Sequence, residues 1–369
     1  MKVLQVSLRN RAYPLFIGKD ILPRLGRWIK ERGLGSHRII VVTQKEIAVF
    51  YETAIKESLT KEGLEASFFV TPYSKSSEAA KSQNVYWKLV RAMAEQSGKS
   101  RSLLVIALGG GVIGDLAGFA ASVFRRGVPL IQIPTTLTAQ VDSAIGGKTG
   151  IDLPQGKNLL GSIYQPSFVL SDVSLLMSLP DRHWSDGFAE VIKYGVIEDS
   201  ALFSLLEKKG KEAIQTNPRL LENIITRCVK IKAGIVKKDE FDKKDLRIVL
   251  NFGHTAGHAI EAASKFSKKF THGEAVGVGM LAACDISAKL GLLKSHELPK
   301  RLEQTLVKFQ LPTYYKNITS DILLRSIGYD KKSSLGVNRF VLPISLGKTV
   351  LVSDVSPTVI REALENRRG

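Results

Sequence analysis

The first half of the chain alternates short apolar runs, rich in β-branched residues, with longer segments of helical period. The apolar runs lie at 38–43, 67–71, 103–108 and 130–134, and the helical periods at 47–62 and 78–96. Strands that alternate with helices build a largely parallel sheet with helices on both faces. The pattern therefore predicts an α/β domain of the nucleotide-binding kind with a mostly parallel sheet.

A different pattern begins at about residue 176, beyond which helical periods dominate. They lie at 188–207, 218–236, 254–263, 273–290 and 297–310, and a short β-like pair follows at 339–346 and 349–352. The turn-forming sequence SLPDRH at 178–183 marks the junction. We predict two domains, an α/β domain over residues 1–177 and a mainly helical domain over residues 178–369.

Composition excludes several classes of protein. The 369 residues include 53 Lys and Arg against 35 Asp and Glu, and 44% are hydrophobic, which excludes a disordered or fibrous chain. The basic residues are scattered, without an arginine-rich arm, RNP-like aromatic residues or zinc-finger spacing, so no nucleic acid is expected as a partner. The net charge of +18 favours an anionic small molecule instead.

No segment predicts membrane insertion or export. The most apolar stretch, 103–124, is rich in glycine and carries Asp115, whose charge is costly in lipid. The N-terminal residues lack an apolar run before a cleavage site, and Cys228 and Cys284 alone cannot form a disulfide framework. The sequence therefore predicts a cytoplasmic protein without a membrane partner.

A glycine-rich turn, GGGVIGD at 109–115, follows the apolar run 103–108 and opens a predicted helix. Such a turn lets a pyrophosphate approach the backbone at a helix N-terminus, where free N–H groups favour an anion. The acidic residue that binds ribose about 20 residues further on is missing, because the next strand offers Gln132. Phosphate binding and a purely structural turn both remain open at this point.

Three of the six histidines are clustered near glycines and carboxylates. His254 and His258 are spaced i, i+4 on one helical face, and His272 opens the motif HGEAVGVGM. A carboxylate with two imidazoles is a common set for a catalytic divalent ion, and Glu190 is a candidate. Glu190 and Lys193 are spaced i, i+3, so a surface ion pair explains their spacing equally well.

A further glycine-rich region carries lysines. Asp142 precedes GGKTG at 146–150, and GKN follows at 156–158. A Walker A site is excluded because the first glycine of that motif would fall at Asp142. Glycine turns that present lysines and an amide suit an anionic metabolite or a nicotinamide cofactor.

Seven motifs in order resemble the 3-dehydroquinate synthase family of sugar-phosphate cyclases, which supplies the second enzyme of the shikimate pathway. They are GGGVIGDLAGFAA, RRGV, IPTTLTAQVDSAIGGKTGID, GKNLLGSIYQP, GFAEVIKYG, LNFGHTAGHAIE and THGEAVGVGM, and they cover about residues 100 to 290. The resemblance implies a lyase that uses NAD and one divalent metal ion, zinc or cobalt. Its reaction converts 3-deoxy-D-arabino-heptulosonate 7-phosphate to 3-dehydroquinate and phosphate by transient oxidation, phosphate elimination, re-reduction and intramolecular aldol closure.

The same resemblance implies roles for individual residues. The metal ligands are Glu190, His254 and His272. The NAD-binding residues are Gln44, Lys75, Gly110, Gly111, Val112, Ile113, Gly114, Asp115, Thr135, Thr136, Lys148, Lys157, Leu175, Leu176, Met177 and Ser178. The residues around the substrate phosphate are Arg126, Asn158, His258 and Lys348, those at its carboxylate are Lys148, Lys232 and Arg247, and those at its hydroxyls or reacting centre are Asp142, Lys193 and Asn251. In this family the residue at Arg126 reaches the neighbouring subunit's site, which implies a homodimer.

Two departures from the family pattern concern the ribose of NAD. Where the family has a DGExxK-type segment, residues 70–75 keep only Lys75, and Gln44 stands where Asp or Asn is usual. We predict that NAD is still bound, with Gln44 or Tyr73 compensating.

Three alternatives have distinct signatures. The first is a sugar-phosphate cyclase whose substrate has no carboxylate. Arg247 and Asn251 argue against it, because such a substrate would give no reason to place an arginine there. A metal-dependent polyol dehydrogenase would release NADH instead of recycling it. A nucleic-acid-binding protein that has lost catalysis would lack metal and acid-base residues, which are all present here.

Overall fold

The computed structural model describes residues 1–8, 11–72, 77–98, 102–264, 270–329 and 337–369. They divide into two units, the first formed by Met1–Pro180 with Leu221–Phe241 and the second by Asp181–Leu220 with Asp242–Gly369. The first unit thus includes a helical segment that the predicted division after residue 177 assigned to the second domain. That division stays a prediction.

A seven-stranded sheet forms the centre of the first unit in the described part of the chain. Its strands are β1 (Lys2–Val6), β2 (Tyr13–Gly18), β3 (Arg38–Gln44), β4 (Ala66–Thr71), β5 (Leu103–Gly109), β6 (Leu130–Pro134) and β9 (Phe168–Asp172), while β7 (Lys148–Leu153) and β8 (Gly156–Ile163) form a separate hairpin. The order is β1-β2-β9-β6-β5-β3-β4, and only β1 and β2 pair antiparallel. The predicted mostly parallel sheet is confirmed, although β1, β2, β9 and the hairpin were not predicted.

Helices cover both faces of this sheet. On one face α1 (Leu25–Glu31) and α2 (Lys45–Thr60) enclose a core in which the rings of Phe16 and Trp28 stack at 4.0 Å. On the other face α3 (Gln83–Ser97) and α4 (Gly111–Val123) enclose a second core. All seven residues of β5 are buried, which explains why its sequence is apolar without alternation.

The second unit is mainly helical, as expected from its sequence pattern. Along the chain lie α5 (Asp181–Ile197), α6 (Ser200–Lys209), α7 (Lys211–Gln215), α8 (Pro218–Lys238, mostly within the first unit), α9 (His254–Ala263), α10 (His272–Lys289), α11 (Leu298–Lys308), α12 (Ser320–Tyr329) and α13 (Pro357–Glu365), with a hairpin of β10 (Arg339–Ser345) and β11 (Lys348–Ser353). The largely buried α10 packs against α5, α9, α11, α13 and β10.

One helix prediction is wrong. The single helix expected over 188–207 is divided into α5, which begins at Asp181, and α6. The side chain of Asp199 accepts a hydrogen bond from the backbone N–H of Leu202 at 3.0 Å and so caps the start of α6. Within the described residues, no helix combines the length and apolar character needed to cross a membrane.

The buried carboxylate of Asp172 joins the end of β9 to the chain that follows β2. Its two oxygens accept hydrogen bonds from the backbone N–H groups of Asp20 (2.9 Å), Ile21 (2.7 Å), Leu22 (2.8 Å) and Ser174 (2.9 Å). The residue is 1% exposed, so water cannot replace these bonds. Asp172 therefore holds two segments that are distant in sequence.

Replacing Asp172 by alanine should lower the free energy of unfolding by about 3 kcal/mol, because several buried N–H groups lose their acceptor. Urea unfolding followed by the fluorescence of Trp28 measures this change. The control is Glu31→Ala, which removes an exposed pair with Arg27 and should cost about 0.5 kcal/mol or less. An equal effect of the two substitutions would contradict the assigned role of Asp172.

Candidate active site

Helix α5 carries a carboxylate and an ammonium group into the interior of the second unit. Glu190 and Lys193 lie one turn apart and are each 1% exposed. The ammonium of Lys193 forms an ion pair with Oε2 of Glu190. An unpaired carboxylate at this depth would be strongly destabilising, so the pair is a condition for burying either group. The spacing of Glu190 and Lys193 was equally compatible with a surface ion pair. The structure does contain an ion pair between them, but it is buried.

Two imidazoles approach the other oxygen of this carboxylate. His254 begins α9 and His272 begins α10, and their Nε2 atoms lie 3.5 Å and 3.2 Å from Oε1 of Glu190. One ligand atom from each of the three residues lies within 4.8 Å of the others. The structure thus brings together the three residues expected to bind metal.

Charge and burial act in opposite directions on these groups. Burial favours a neutral Glu190, yet the charge of Lys193 and the contacts with the two imidazoles hold the pKa of its carboxyl well below its usual value. Burial lowers the pKa of His254, which favours the neutral ring with a free lone pair. Burial acts in the same sense on His272, but hydrogen bonds to Glu190 and Glu261 raise its pKa to about 10.

These atoms have the spacing of a divalent-ion site. Around a tetrahedral zinc ion with bonds of about 2.0 to 2.1 Å, neighbouring ligand atoms lie roughly 3.3 Å apart. The separations of 3.2 Å and 3.5 Å from Oε1 of Glu190 match that value. One carboxylate and two imidazoles also form a borderline-soft donor set that suits zinc or cobalt.

The start of α10 is anchored so that His272 has a defined position. Thr271 and Glu274 form a reciprocal capping box, and Arg182 on α5 binds both oxygens of Glu274 at 2.7 Å. The backbone N–H of Gly273 donates to Asp186 on α5 at 2.5 Å, and a Cβ at Gly273 would lie 2.4 Å from the Asp186 carbonyl oxygen. The two helices therefore contact each other at the residue next to His272.

Other predicted residues of the second unit lie at different depths. His258 is exposed one turn after His254, and its ring centroid lies 5.3 Å from that of His254 and 5.9 Å from that of His272. Arg247 is 4% exposed within a short 3-10 helix, Leu246–Asn251. Asn251 ends that helix and Lys348 begins β11, both with exposed side chains.

In the first unit, the glycine turn joins β5 to α4, as its sequence predicts. A Cβ at Gly111 would lie 2.9 Å from Ser143 Oγ, so the backbone of the turn passes close to this hydroxyl. Among the described residues, the buried hydroxyls of Thr135 and Ser143 have no hydrogen-bond partner. A backbone cradle at a helix N-terminus with unsatisfied hydroxyls beside it fits a phosphate-bearing cofactor. Gln132, at the position expected for an acidic residue, donates to the Gly114 carbonyl at 3.2 Å.

A buried lysine joins two of the predicted residues of this unit. Lys81, at the end of a short helical turn (Ser77–Lys81), donates to Asp115 at 2.7 Å and to the side-chain oxygen of Asn158. Lys81 is 4% exposed. Burial raises the pKa of Asp115, and the charge of Lys81 opposes that rise. In the same unit, Lys232 on α8 contacts the Asp142 carboxylate at 2.9 Å.

The remaining predicted cofactor residues are distributed along the first unit. Gln44 ends β3, and Lys148 begins β7. Val112 and Ile113 lie in the first turn of α4, and Thr136 follows Thr135 after β6. The ammonium of Lys157 lies 3.2 Å from the carboxylate of Glu78. Leu175, Leu176, Met177 and Ser178 lie in a 3-10 helix, Val173–Ser178, and Tyr51 donates to the Leu175 carbonyl at 2.8 Å. Arg126 is exposed with a left-handed backbone (φ 68°). Lys75 and Tyr73 lie outside the described residues.

Three residues of these clusters were not selected from the sequence. Glu78 and Lys81 show the Glu-x-x-Lys spacing of the ribose motif, a few residues after the segment where it was sought. Glu261 lies 3.2 Å from Nδ1 of His272. The spacing was a usable signal for the first two, whereas Glu261 contacts His272 only through the packing of α9 against α10.

Models of two domain families match consecutive parts of the chain. Residues 72–186 match "3-dehydroquinate synthase N-terminal" and residues 187–333 match "3-dehydroquinate synthase C-terminal". A 3-dehydroquinate synthase of Symbiobacterium thermophilum is 40% identical over 365 residues, which are 98% of this chain and 100% of that relative.

Solved structures of two sugar-phosphate cyclases have the same fold. The 2-epi-5-epi-valiolone synthase ValA of Streptomyces hygroscopicus, with NAD+ and Zn2+ bound, is 29% identical with a TM-score of 0.87, covering 98% of each chain. A 2-deoxy-scyllo-inosose synthase, complexed with carbaglucose-6-phosphate, NAD+ and Co2+, is 26% identical with a TM-score of 0.86, covering 99% of this chain and 100% of that chain.

Replacing Lys81 by methionine should destabilise the protein more at neutral than at acidic pH. Without the ammonium group the pKa of Asp115 in the folded protein should rise further. Ionisation of a carboxyl with a raised pKa favours the unfolded state, so the folded protein loses stability as the pH increases. We expect the free energy of unfolding to fall by about 2 kcal/mol at neutral pH, with a smaller loss at about pH 5. Urea unfolding at both pH values measures the difference.

The control for this experiment is Lys56→Met, which breaks an exposed pair with Glu52. That substitution should have a small effect that does not change with pH. A loss of stability in Lys81→Met that is equal at both pH values would contradict the assigned pairing with Asp115.

Proposed function

The chain belongs to the 3-dehydroquinate synthase family, and we propose that it converts 3-deoxy-D-arabino-heptulosonate 7-phosphate to 3-dehydroquinate and phosphate. The observation that carries this proposal is the convergence of His254 and His272 on one oxygen of the buried Glu190 carboxylate. The greater identity to a 3-dehydroquinate synthase, 40% against 29% or less for the two cyclases, favours this substrate over theirs.

The enzyme uses NAD and one divalent cation, as do the two cyclases in their complexes. Glu190, His254 and His272 would hold the cation, and the glycine turn with Asp115 would hold the cofactor. When bound, the cation acts as a Lewis acid on substrate oxygens and NAD accepts and returns a hydride.

Side chains within each unit suit this chemistry. Lys193 neutralises Oε2 of Glu190, so Oε1 remains as the donor atom. His258 is exposed beside the two ligand imidazoles, where its ring can bind phosphate or transfer a proton. Asp142 is paired with Lys232, and its carboxylate oxygens can accept hydrogen bonds from substrate hydroxyls.

The ribose of NAD is assigned to the side chains around the end of β3 and the turn before α3. Gln44 is half-buried where β3 ends, and Glu78 lies on the same short helical turn as Lys81. Glu78 can accept from ribose hydroxyls, which would replace the carboxylate that residues 70–75 lack. The ion pair between Glu78 and Lys157 brings a second cofactor candidate to this turn.

Assembly and location complete the proposal. Arg125 and Arg126 have consecutive left-handed conformations, with φ of 50° and 68°, and both side chains are exposed. The guanidinium of Arg125 donates to the Gly98 carbonyl at 2.9 Å. The exposed Arg126 is the residue that would reach the partner's substrate phosphate in a homodimer. The proposed enzyme acts in the cytoplasm, with an α/β domain over 1–177 and a helical domain over 178–369.

The purified protein, given the heptulosonate phosphate with catalytic NAD and Zn2+ or Co2+, should release one phosphate for each 3-dehydroquinate. Glu190→Gln and His272→Ala should each lower kcat by about a thousandfold or more, because they remove donor atoms of the cation. Phosphate release and product absorbance measure both rates.

His296→Ala, which removes an exposed imidazole from the same unit, serves as the control and should remain fully active. Stoichiometric accumulation of NADH would contradict the proposal and favour a polyol dehydrogenase. If the protein releases no phosphate with either Zn2+ or Co2+, the proposed reaction is rejected.

Arg247 is expected to bind the substrate carboxylate, so Arg247→Lys should raise KM about tenfold with a smaller effect on kcat. Lysine keeps the charge but lacks the two-pronged geometry that matches a carboxylate. Steady-state kinetics with the heptulosonate phosphate measure this change. Equal turnover of a sugar phosphate without a carboxylate by the wild type would contradict the assignment and favour one of the other cyclases.

A further inference from the structure

Both imidazoles that face Glu190 are also held at their second ring nitrogen. Nδ1 of His254 lies 3.1 Å from the carbonyl oxygen of Phe252. Nδ1 of His272 lies 3.2 Å from Oε2 of Glu261 on α9. The two rings thus share one arrangement, with Nε2 toward Oε1 of Glu190 and Nδ1 toward an oxygen acceptor.

The two acceptors differ in charge. When Nε2 of an imidazole binds a cation, the remaining ring proton lies on Nδ1 and needs an acceptor. For His254 that acceptor is a neutral carbonyl, whereas for His272 it is a carboxylate with a side chain only 21% exposed. A carboxylate acceptor orients the ring and makes Nε2 a stronger donor, and a charge-assisted bond is about twice as strong as a neutral one.

We propose that Glu261 is a positioning residue for the divalent cation, acting as the acceptor of the Nδ1 proton of His272. It holds the ring so that Nε2 faces the cation, and it does not itself touch the cation or the substrate. This inference rests on the proposed function, because it requires that Glu190, His254 and His272 bind the metal. Glu261 has no part in the ligand set implied by the family resemblance.

The same atoms allow one competing arrangement. Ligand atoms of His258, Glu261 and His272 also lie within 4.8 Å of one another, so these residues form a second possible metal group. Because His272 belongs to both groups, filling both would require ions on its two ring nitrogens and the loss of the proton that Glu261 accepts. The geometry therefore predicts one cation per chain, with Glu261 outside its ligands.

The test compares Glu261→Ala and Glu261→Gln with the wild type. The affinity of the metal-free protein for Zn2+ is measured by competition with a chromophoric chelator, together with the number of ions bound. Glu261→Ala should weaken Zn2+ binding about 10- to 100-fold, and Glu261→Gln, which keeps a neutral acceptor oxygen, should weaken it less. The visible spectrum of the Co2+-loaded alanine variant should shift, because the His272 ring is no longer held.

The control is Glu362→Ala, which breaks an exposed ion pair with Lys289 in the same unit and should leave Zn2+ affinity unchanged. Unchanged Zn2+ affinity in both Glu261 variants overturns the inference, and so does binding of two Zn2+ ions per wild-type chain. If the alanine variant does not fold, the affinity of the glutamine variant decides the question by the same criterion.

Phosphate release by the wild type is measured in parallel to separate the two proposals. Weakened Zn2+ binding in the variants without phosphate release by the wild type supports the role of Glu261 and rejects the proposed reaction. Normal phosphate release with unchanged Zn2+ affinity rejects the role of Glu261 alone.

Discussion

One buried carboxylate, that of Glu190, sets the conditions that the second unit satisfies. At 1% exposure its charge is stable only if other groups replace the lost hydration. Lys193 does so at Oε2, and the imidazoles of His254 and His272 do so at Oε1. Because these groups come from α5, α9 and α10, the electrostatics of one side chain depend on the packing of three helices. Movement of α9 or α10 would take an imidazole away from the buried carboxylate of Glu190.

The close packing of α9 against α10, which brings the two imidazoles to Glu190, depends on glycines at the contact. A Cβ at Gly279 on α10 would lie 2.0 Å from the carbonyl oxygen of Gly253, and one at Gly257 on α9 would lie 3.0 Å from Cα of Val276. The backbones of α9 and α10 therefore touch, which a helix pair separated by larger side chains cannot do. This contact brings the rings of His254 and His272 to a centroid distance of 5.2 Å. The glycines in the motifs around the two histidines thus help to set the spacing of the donor atoms.

Local pattern was enough to predict much of the fold, whereas the three residues of the candidate metal group were selected only through the resemblance to a known family. The parallel strands and the turn at 109–115 follow from hydrophobic period and glycine placement, which depend on neighbouring residues only. The break before α6 was missed because apolar periodicity continues past Asp199, whose capping bond is visible only in three dimensions. Glu78 and Lys81 have the Glu-x-x-Lys spacing but follow the segment in which it was expected, whereas Glu261 was missed because its partner His272 belongs to another helix. Contacts of this kind depend on how elements pack, and no spacing along the chain encodes that.

The two oxygens of Glu190 have different partners, and this difference bears on whether the proposed metal site is of the catalytic or the structural kind. Since Lys193 occupies Oε2, the carboxylate can offer a cation only Oε1, as a single donor. With one nitrogen each from His254 and His272, the described part of the chain supplies three donor atoms to this candidate group. A structural zinc site is closed by four protein ligands, whereas three leave a position for substrate oxygen. The ion pair that the spacing of Glu190 and Lys193 first suggested is thus compatible with the metal site, and it limits this carboxylate to one ligand atom.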